Sequence, residues 1–178
     1  MAVEYRKSAP GLPPENMGDA ADIVQVMLTR IRAGGEDAVR DYARQLDGWE
    51  GDIVMSPDEV ANAGAWVPQA LREDIDWAQE NIRAFAEAQL ASAGEFEVEL
   101  RPGLFAGQRQ MPLAAAGCYV PGGRYSHIAS ALMSVTTAKV AGVANITACS
   151  PPRPGKGIPA PILYAMHRSG VDRVLNLG

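Results

Sequence analysis

The sequence lacks the features of membrane, secreted and nucleic-acid-binding proteins. No apolar run approaches the ~20 residues that a membrane-spanning helix needs, and residues 1–16 contain no apolar core of a signal peptide. The 16 basic residues are outnumbered by 21 acidic ones and are scattered, which argues against a nucleic-acid partner. Two cysteines make no disulfide framework. We therefore expect a cytoplasmic protein with reduced cysteines and with no membrane or nucleic-acid partner.

Histidine is as scarce as cysteine, and this limits the chemistry that can be assigned. His127 and His167 lie far apart in the sequence, so no short metal-binding motif links them. A surface or helix-end position is the simpler interpretation for each. Cys118 and Cys149 fall in predicted strands, where a small buried side chain is the simpler role, because reactive thiols need an open, electropositive site. The residues alone therefore assemble neither a metal site nor a nucleophile with its base.

The N-terminal part of the sequence is predicted to be helical. Apolar residues recur at helical spacing on both sides of Gly34-Gly35, which predicts two helical segments separated by a break. Ser56-Pro57-Asp58-Glu59 has the pattern of a capping box at a helix start. A long amphipathic helix is predicted from Pro68 to Gly94, with Phe85 among the residues of its apolar face. A β-hairpin follows at about 95–111, and its first strand alternates as a half-exposed strand does.

From Ala114 onward, continuous apolar segments alternate with helices. Strands are predicted over 114–120, 145–149 and 173–177, and helices over 128–140 and 161–169. This alternation predicts a parallel sheet covered on both faces. We therefore predict an α/β protein in two parts. Residues 1–113 form a helical region with the hairpin, and residues 114–178 form a β-α-β-α-β half of a doubly wound, incomplete Rossmann-like sheet.

The segment Cys118-Tyr-Val-Pro-Gly-Gly-Arg124 joins the first of these strands to a helix. Backbone N–H groups and the helix dipole favour an anion at such a place, and glycine lets a ligand approach closely. The segment is not a G-x-G-x-x-G motif, so a plain tight turn is an equal alternative. Tyr119 is able to stack on a base or ribose, or else to face the core. Arg124 is able to pair with a phosphate or sulfonate, or else to lie in solvent.

Five blocks follow one another in the C-terminal third, and their order and spacing carry a family resemblance. They are Cys118–Gly123, Ser130–Met133, Thr137–Gly142, Cys149–Pro152 and Gly170–Asp172. Together they resemble histidinol dehydrogenase and its relatives, which include dehydrogenases of small polar alcohols such as sulfopropanediol. The stretch from Arg124 to Ser130 is more similar to the relatives than to biosynthetic histidinol dehydrogenases, so histidinol is in doubt as the substrate.

The resemblance implies a cofactor, a reaction and a set of site residues. Members of this family are zinc-dependent enzymes that oxidise a primary alcohol with NAD, and the full-length enzyme is expected to be a homodimer. The residues implied in the NAD site are Tyr119, Pro121, Gly122 and Gly123. If the substrate is an anionic sulfonate, Arg124 or His127 is the candidate to bind it.

The same resemblance assigns no catalytic and no metal residue to this chain. In the family, a Gly-Gly-x-Gln-Ala block, the zinc ligands and a Glu-His pair for proton transfer all follow the position of Gly178. The chain therefore resembles the N-terminal part of such an enzyme, and we expect it to be inactive when isolated. Two alternatives stay open. One is a complete small α/β protein that binds a nucleotide or a partner without catalysis. The other is a structural piece whose exposed sheet edge leads to association or aggregation.

Overall fold

The computed structural model describes residues 17–122 and 127–178. Gly123 and Arg124, two of the predicted site residues, lie outside the described residues. The chain divides into two compact units, the first ending at Val39 and the second running from Arg40 to Gly178. The parallel sheet and the helices that pack on it belong to the second unit.

Helix α1 spans Met17–Tyr42 and contains the predicted break. Gly35 has φ 56° and ψ −139°, so the helical backbone is interrupted there by a conformation that favours glycine. A π-helical turn over Ala43–Asp47 follows, and Gly48 ends it in the left-handed conformation. The predicted pair of helical segments around Gly34-Gly35 is confirmed.

Helix α2, Pro57–Asn62, begins with the predicted capping box. The Ser56 hydroxyl accepts a hydrogen bond from the Glu59 N–H at 3.2 Å, and the Glu59 carboxylate accepts one from the Ser56 N–H at 3.1 Å. A 3-10 turn over Ala63–Trp66 follows. Helix α3 then spans Gln69–Ser92, starting directly after Pro68 as the sequence predicts.

Strands β1, Phe96–Arg101, and β2, Leu104–Gln108, pair antiparallel as the predicted hairpin. The prediction of a half-exposed strand is wrong, because every residue of both strands is exposed. Phe96 and Leu100 on β1 are 57% and 60% exposed. Alternation fixes which residues share a face of a strand, but it does not supply the element that covers that face.

The C-terminal part is the predicted β-α-β-α-β unit. It consists of β3 (Ala115–Tyr119), α4 (Ile128–Val140), β4 (Asn145–Ser150), α5 (Ala160–Ser169) and β5 (Arg173–Asn176). The strands are parallel in the order β3-β4-β5. Residues 53–55 run beside β5, since the Met55 N–H donates to the Val174 carbonyl at 3.0 Å and the Asn176 N–H donates to the Ile53 carbonyl at 2.8 Å. The protein therefore has the predicted α/β fold.

The core of the second unit lies between the sheet and its helices. Val120, Ile146, Ile162 and Met166 are fully buried, and burying each such side chain stabilises the fold by about 1.5–3 kcal/mol. Helix α3 packs against both α4 and α5, so it covers the helices of the sheet within the second unit. The domain boundary at residues 113/114 stays a prediction. In the described part of the chain, no helix is long and apolar enough to cross a bilayer.

Candidate functional site

The carboxyl ends of the three parallel strands form one edge, where ligands of doubly wound sheets bind. The register places Tyr119 beside Cys149 and Ser150 beside Asn176. Three loops leave this edge, one after each strand. The candidate site is built from the residues at these strand ends.

The loops after β3 and β4 are in close contact. The Val120 N–H donates to the Cys149 carbonyl at 2.8 Å, which extends the pairing of the two strands by one residue. A Cβ on Gly122 would lie 2.9–3.1 Å from three ring carbons of Pro151. Since real Cβ atoms essentially never come closer than 3.0 Å, only glycine fits at this point without movement. Glycine at this position therefore allows the Pro151 ring to pack directly on the turn after β3.

Tyr119 lies at the end of β3, which is an outer strand of the three-stranded sheet. It is 55% exposed, so its ring is not part of the buried core. It lines a cavity of about 620 Å³ together with Met111, Leu113 and Cys118. This cavity runs along β3 and the C-terminal half of α4, and its lining includes none of Gly122, Ser150 and Asn176. The contact of the ring with NAD stays a prediction.

The structure places the remaining described candidates on either side of the turn. Pro121 is half-buried beside Gly122. His127 is exposed at the cap position of α4, and its side chain caps no backbone group. Tyr119, Pro121 and Gly122 thus lie together at the end of β3, with His127 at the start of the next helix.

Two buried polar atoms at the same edge have no hydrogen-bond partner in the described structure. Ser150 Oγ lies at the end of β4, and Asn176 Oδ1 lies beside it at the end of β5. Ser150 is fully buried and Asn176 is 5% exposed. The Asn176 amide group donates through Nδ2 to the Asp52 carbonyl at 3.0 Å, which fixes the orientation of the side chain and leaves Oδ1 unpaired.

An unpaired buried polar atom costs about 1–3 kcal/mol, so a ligand that reached both atoms would recover part of that cost. Three further buried atoms are also unpaired in the described structure, namely Arg72 Nε, Gln79 Nε2 and Thr136 Oγ1, so the pair at this edge is a candidate contact for a ligand. Neither Ser150 nor Asn176 is among the site residues predicted from the sequence. The available signal was a polar residue ending each of two apolar strands, Ala148-Cys149-Ser150 and Val174-Leu175-Asn176. In a parallel sheet, such positions lie at the ligand-binding edge.

The cysteines do not have the environment of a nucleophile. Cys118 is buried and Cys149 is half-buried, and both are free thiols. Burial raises the pKa of the Cys149 thiol above its usual value, and the neighbouring Cys118 and Asp47 add to the increase. A raised pKa keeps the thiol protonated at neutral pH, which is the opposite of what a reactive cysteine needs.

The described residues do not fit a zinc ion. Within residues 17–122 and 127–178, no group of three or more His, Cys, Asp and Glu side chains could hold a metal. His127 and His167 contribute to no such group. No metal ligand is therefore assigned among the described residues.

Comparison with known proteins identifies the family. The sequence model of histidinol dehydrogenase matches residues 13–178. A histidinol dehydrogenase homolog from Ruegeria pomeroyi is 64% identical over the whole chain, and a sulfopropanediol 3-dehydrogenase from the same organism is 49% identical. The chain spans 41% of the length of each.

Comparison with solved structures points to the same family. The crystal structure of histidinol dehydrogenase from Elizabethkingia anophelis superposes with a TM-score of 0.85 at 29% identity, covering 95% of this chain and 38% of that one. The resemblance carried by the five sequence blocks is thereby confirmed, as is the expectation that the chain corresponds to only part of such an enzyme. The chain belongs to the histidinol dehydrogenase family.

Proposed function

We propose that this chain supplies part of the cofactor site of a dehydrogenase that oxidises a small polar primary alcohol with NAD. The observation that carries the proposal is the β-α-β-α-β sheet itself, whose carboxyl edge holds the turn after β3 and the start of α4. The chain spans 41% of its relatives' length, so the proposed activity is that of the whole enzyme.

The described residues fit a dinucleotide at this edge. The N-terminus of α4 directs its positive dipole to the region of the turn after β3, where a pyrophosphate is stabilised. Gly122 allows Pro151 of the next loop to pack closely on this turn. The exposed ring of Tyr119 offers a stacking surface. Ser150 Oγ and Asn176 Oδ1 are covered by protein, and they are able to accept hydrogen bonds from ribose hydroxyls or base amino groups once a ligand displaces the atoms that cover them. NAD, when bound, accepts the hydride from the substrate carbon.

The proposed substrate is a small alcohol with a polar or anionic group. The similarity to a sulfopropanediol 3-dehydrogenase, at 49% identity, supports this class. His127 is exposed at the positive end of α4, where an anionic group is stabilised, and we propose it together with Arg124 as the contact for that group. We also propose zinc dependence, a cytoplasmic location and a homodimeric assembly for the whole enzyme. We assign no zinc ligand and no catalytic residue to this chain.

The NAD site is tested by titrating the 178-residue chain with NAD and measuring its thermal midpoint. A ligand at 100 times its dissociation constant stabilises the folded chain by about 2.7 kcal/mol, which is easily detected. Replacing Tyr119 with alanine removes a stacking surface worth about 1–3 kcal/mol per base, so the affinity should fall by about tenfold. Phe105→Ala is the matched control, because Phe105 is 57% exposed on the hairpin, away from the sheet edge.

Two results would overturn the proposal. One is a thermal midpoint that NAD leaves unchanged at millimolar concentration. The other is a Tyr119→Ala variant that binds NAD as tightly as the Phe105→Ala control. Turnover by the isolated chain with added zinc, NAD and a polar alcohol would instead contradict its expected inactivity.

A further inference from the structure

The segment that precedes α2 is bonded to the end of β5. Asn176, the last residue of this strand, donates through its N–H to the Ile53 carbonyl at 2.8 Å and through Nδ2 to the Asp52 carbonyl at 3.0 Å. Two residues later, the Gly178 N–H donates to Oδ2 of Asp47 at 2.8 Å. The first two bonds hold the strand itself, whereas the third acts on the backbone after the strand has ended.

We propose that Asp47 is a positioning residue of the ligand-binding edge, because its carboxylate fixes the backbone where the chain leaves β5. The inference rests on the proposed function, in which the loops at this edge bind the cofactor. It goes further by assigning a role to a residue of the helical region, which lies 131 residues before Gly178 in the sequence. A hydrogen bond from a backbone N–H to a carboxylate is about twice as strong as one between neutral groups.

Only glycine at position 178 allows this contact. A Cβ there would lie 2.6 Å from Oδ1, 3.1 Å from Oδ2 and 3.2 Å from Cγ of Asp47. Because real Cβ atoms essentially never come closer than 3.0 Å to another heavy atom, a larger residue would push the carboxylate away. The carboxylate and the bare backbone of Gly178 therefore fit each other as a pair.

The backbone of Asp47 is itself fixed by the π-helical turn that it ends. The N–H groups of Gly48 and Trp49 both donate to the Ala43 carbonyl, the second at 3.1 Å. Ala43 is 1% exposed, so the start of the turn is anchored in the core. Single π-helical turns occur frequently at functional sites. Asp47 is therefore held on a rigid element, as a positioning residue must be.

The charge of Asp47 also acts at the end of the neighbouring strand. Burial is the main cause of the raised pKa of the Cys149 thiol, and Cys118 and Asp47 add to the increase. Cys149 comes directly before the last residue of β4, so the negative charge of the carboxylate is felt at the end of β4 as well as after β5. Asp47 therefore stands at the edge where ligands of doubly wound sheets bind.

Hydrogen exchange of the 178-residue chain, followed by NMR, measures the positioning directly. Asp47→Ala removes the acceptor, so the Gly178 amide should exchange at least about tenfold faster. Asp47→Asn keeps an acceptor oxygen of the same shape and should restore most of the protection. The Asn176 amide donates to the Ile53 carbonyl and not to Asp47, so it should be unaffected in both variants and serves as the internal reference.

Asp172→Ala is the matched control. Oδ2 of Asp172 also accepts from a backbone N–H, that of Ile146 at 2.8 Å, but this bond lies at the start of β4, on the opposite edge of the sheet. Each variant loses one hydrogen bond from a backbone N–H to a carboxylate, so both should have a lower thermal midpoint. Only Asp47→Ala should release the Gly178 amide and weaken NAD binding, by at least about twofold. The NAD affinity is measured at a temperature where all variants are folded, so a merely structural role would not change it.

The outcomes separate this inference from the proposed function. Equal exchange of the Gly178 amide in the Asp47→Ala and Asp172→Ala variants overturns the inference. Equal NAD affinities of these two variants also overturn it, and if Tyr119→Ala weakens NAD binding at the same time, the proposed function stands without it. If NAD does not bind the unsubstituted chain, the proposed function is wrong, and the exchange of the Gly178 amide alone decides whether Asp47 fixes the backbone after β5.

Discussion

Replacing Gly122 with alanine tests the contact between the loops after β3 and β4. The added Cβ would lie 2.9 Å from Cγ, 3.0 Å from Cδ and 3.1 Å from Cβ of Pro151. The ring of Pro151 is closed on its own backbone, so it cannot rotate away as a flexible side chain would. Overpacking of this kind costs about 1–3 kcal/mol. Since 1 kcal/mol shifts the melting temperature of a domain of this size by about 2–4 °C, we expect a fall of about 2–12 °C.

Gly117→Ala is the matched control for this variant. Gly117 lies exposed in β3, and a Cβ there would meet nothing within 4 Å. Neither glycine has a positive φ, so both substitutions reduce the flexibility of the unfolded chain to the same extent. The control should therefore melt at the same temperature as the unsubstituted protein or slightly higher, as measured by calorimetry. Equal melting temperatures for the two variants would refute the steric argument.

Two further predictions concern contacts away from the candidate site. Ser56→Ala removes the acceptor of the Glu59 N–H, so urea denaturation should show a loss of about 1 kcal/mol, whereas Ser56→Thr should keep most of it. Tyr164→Phe removes a hydroxyl that donates to Asp76 at 3.0 Å, and should cost about 0.5–1 kcal/mol. Burial, and to a smaller extent the hydrogen bond to Asp76, raises the pKa of Tyr164 above its usual value. The protonated hydroxyl therefore stabilises the fold fully below about pH 10, and this contribution is lost as the pH rises further. The phenylalanine variant should lose less stability above about pH 10 than the unsubstituted protein, and equal losses would contradict this.

The elements that the sequence predicted well are those with short-range signals. The capping box at Ser56 and Glu59 needs only four residues, and both of its hydrogen bonds form as predicted. The break at Gly35 depends on one backbone conformation that favours glycine. The alternation of apolar strands and helices after Ala114 is a periodic signal, and it predicted the parallel strands correctly. The prediction that both faces of the sheet are covered is wrong, because Ala115, Gly117 and Tyr119 on one face of β3 are exposed.

The predictions that failed depend on contacts between distant parts of the chain. The pattern over Pro68–Gly94 placed Phe85 on the apolar face of α3, yet Phe85 is 66% exposed, while Gln79 is 4% exposed. The hairpin likewise exposes the face that alternation would bury. Periodicity orders residues around an element, but which faces are covered depends on neighbours that the pattern does not contain.

Only part of the candidate site could be predicted, because only some of its residues belong to a local sequence motif. A glycine turn after a strand is a local motif, so Tyr119, Pro121 and Gly122 could be found from the sequence. A single serine or asparagine ending an apolar strand has no such pattern. Ser150 and Asn176 become informative only when the register shows them side by side, buried and without partners.

The two unpaired atoms also set the scale of binding expected at the sheet edge. Each costs about 1–3 kcal/mol when unpaired, so a ligand that pairs both Ser150 Oγ and Asn176 Oδ1 recovers about 2–6 kcal/mol. A millimolar dissociation constant corresponds to about 4 kcal/mol. Hydrogen bonding at these two residues is therefore of the size needed for weak nucleotide binding by the chain, and stacking on Tyr119 adds to it. Apolar residues at both positions would remove the cost without any ligand, which makes the polar pair a candidate for ligand contact.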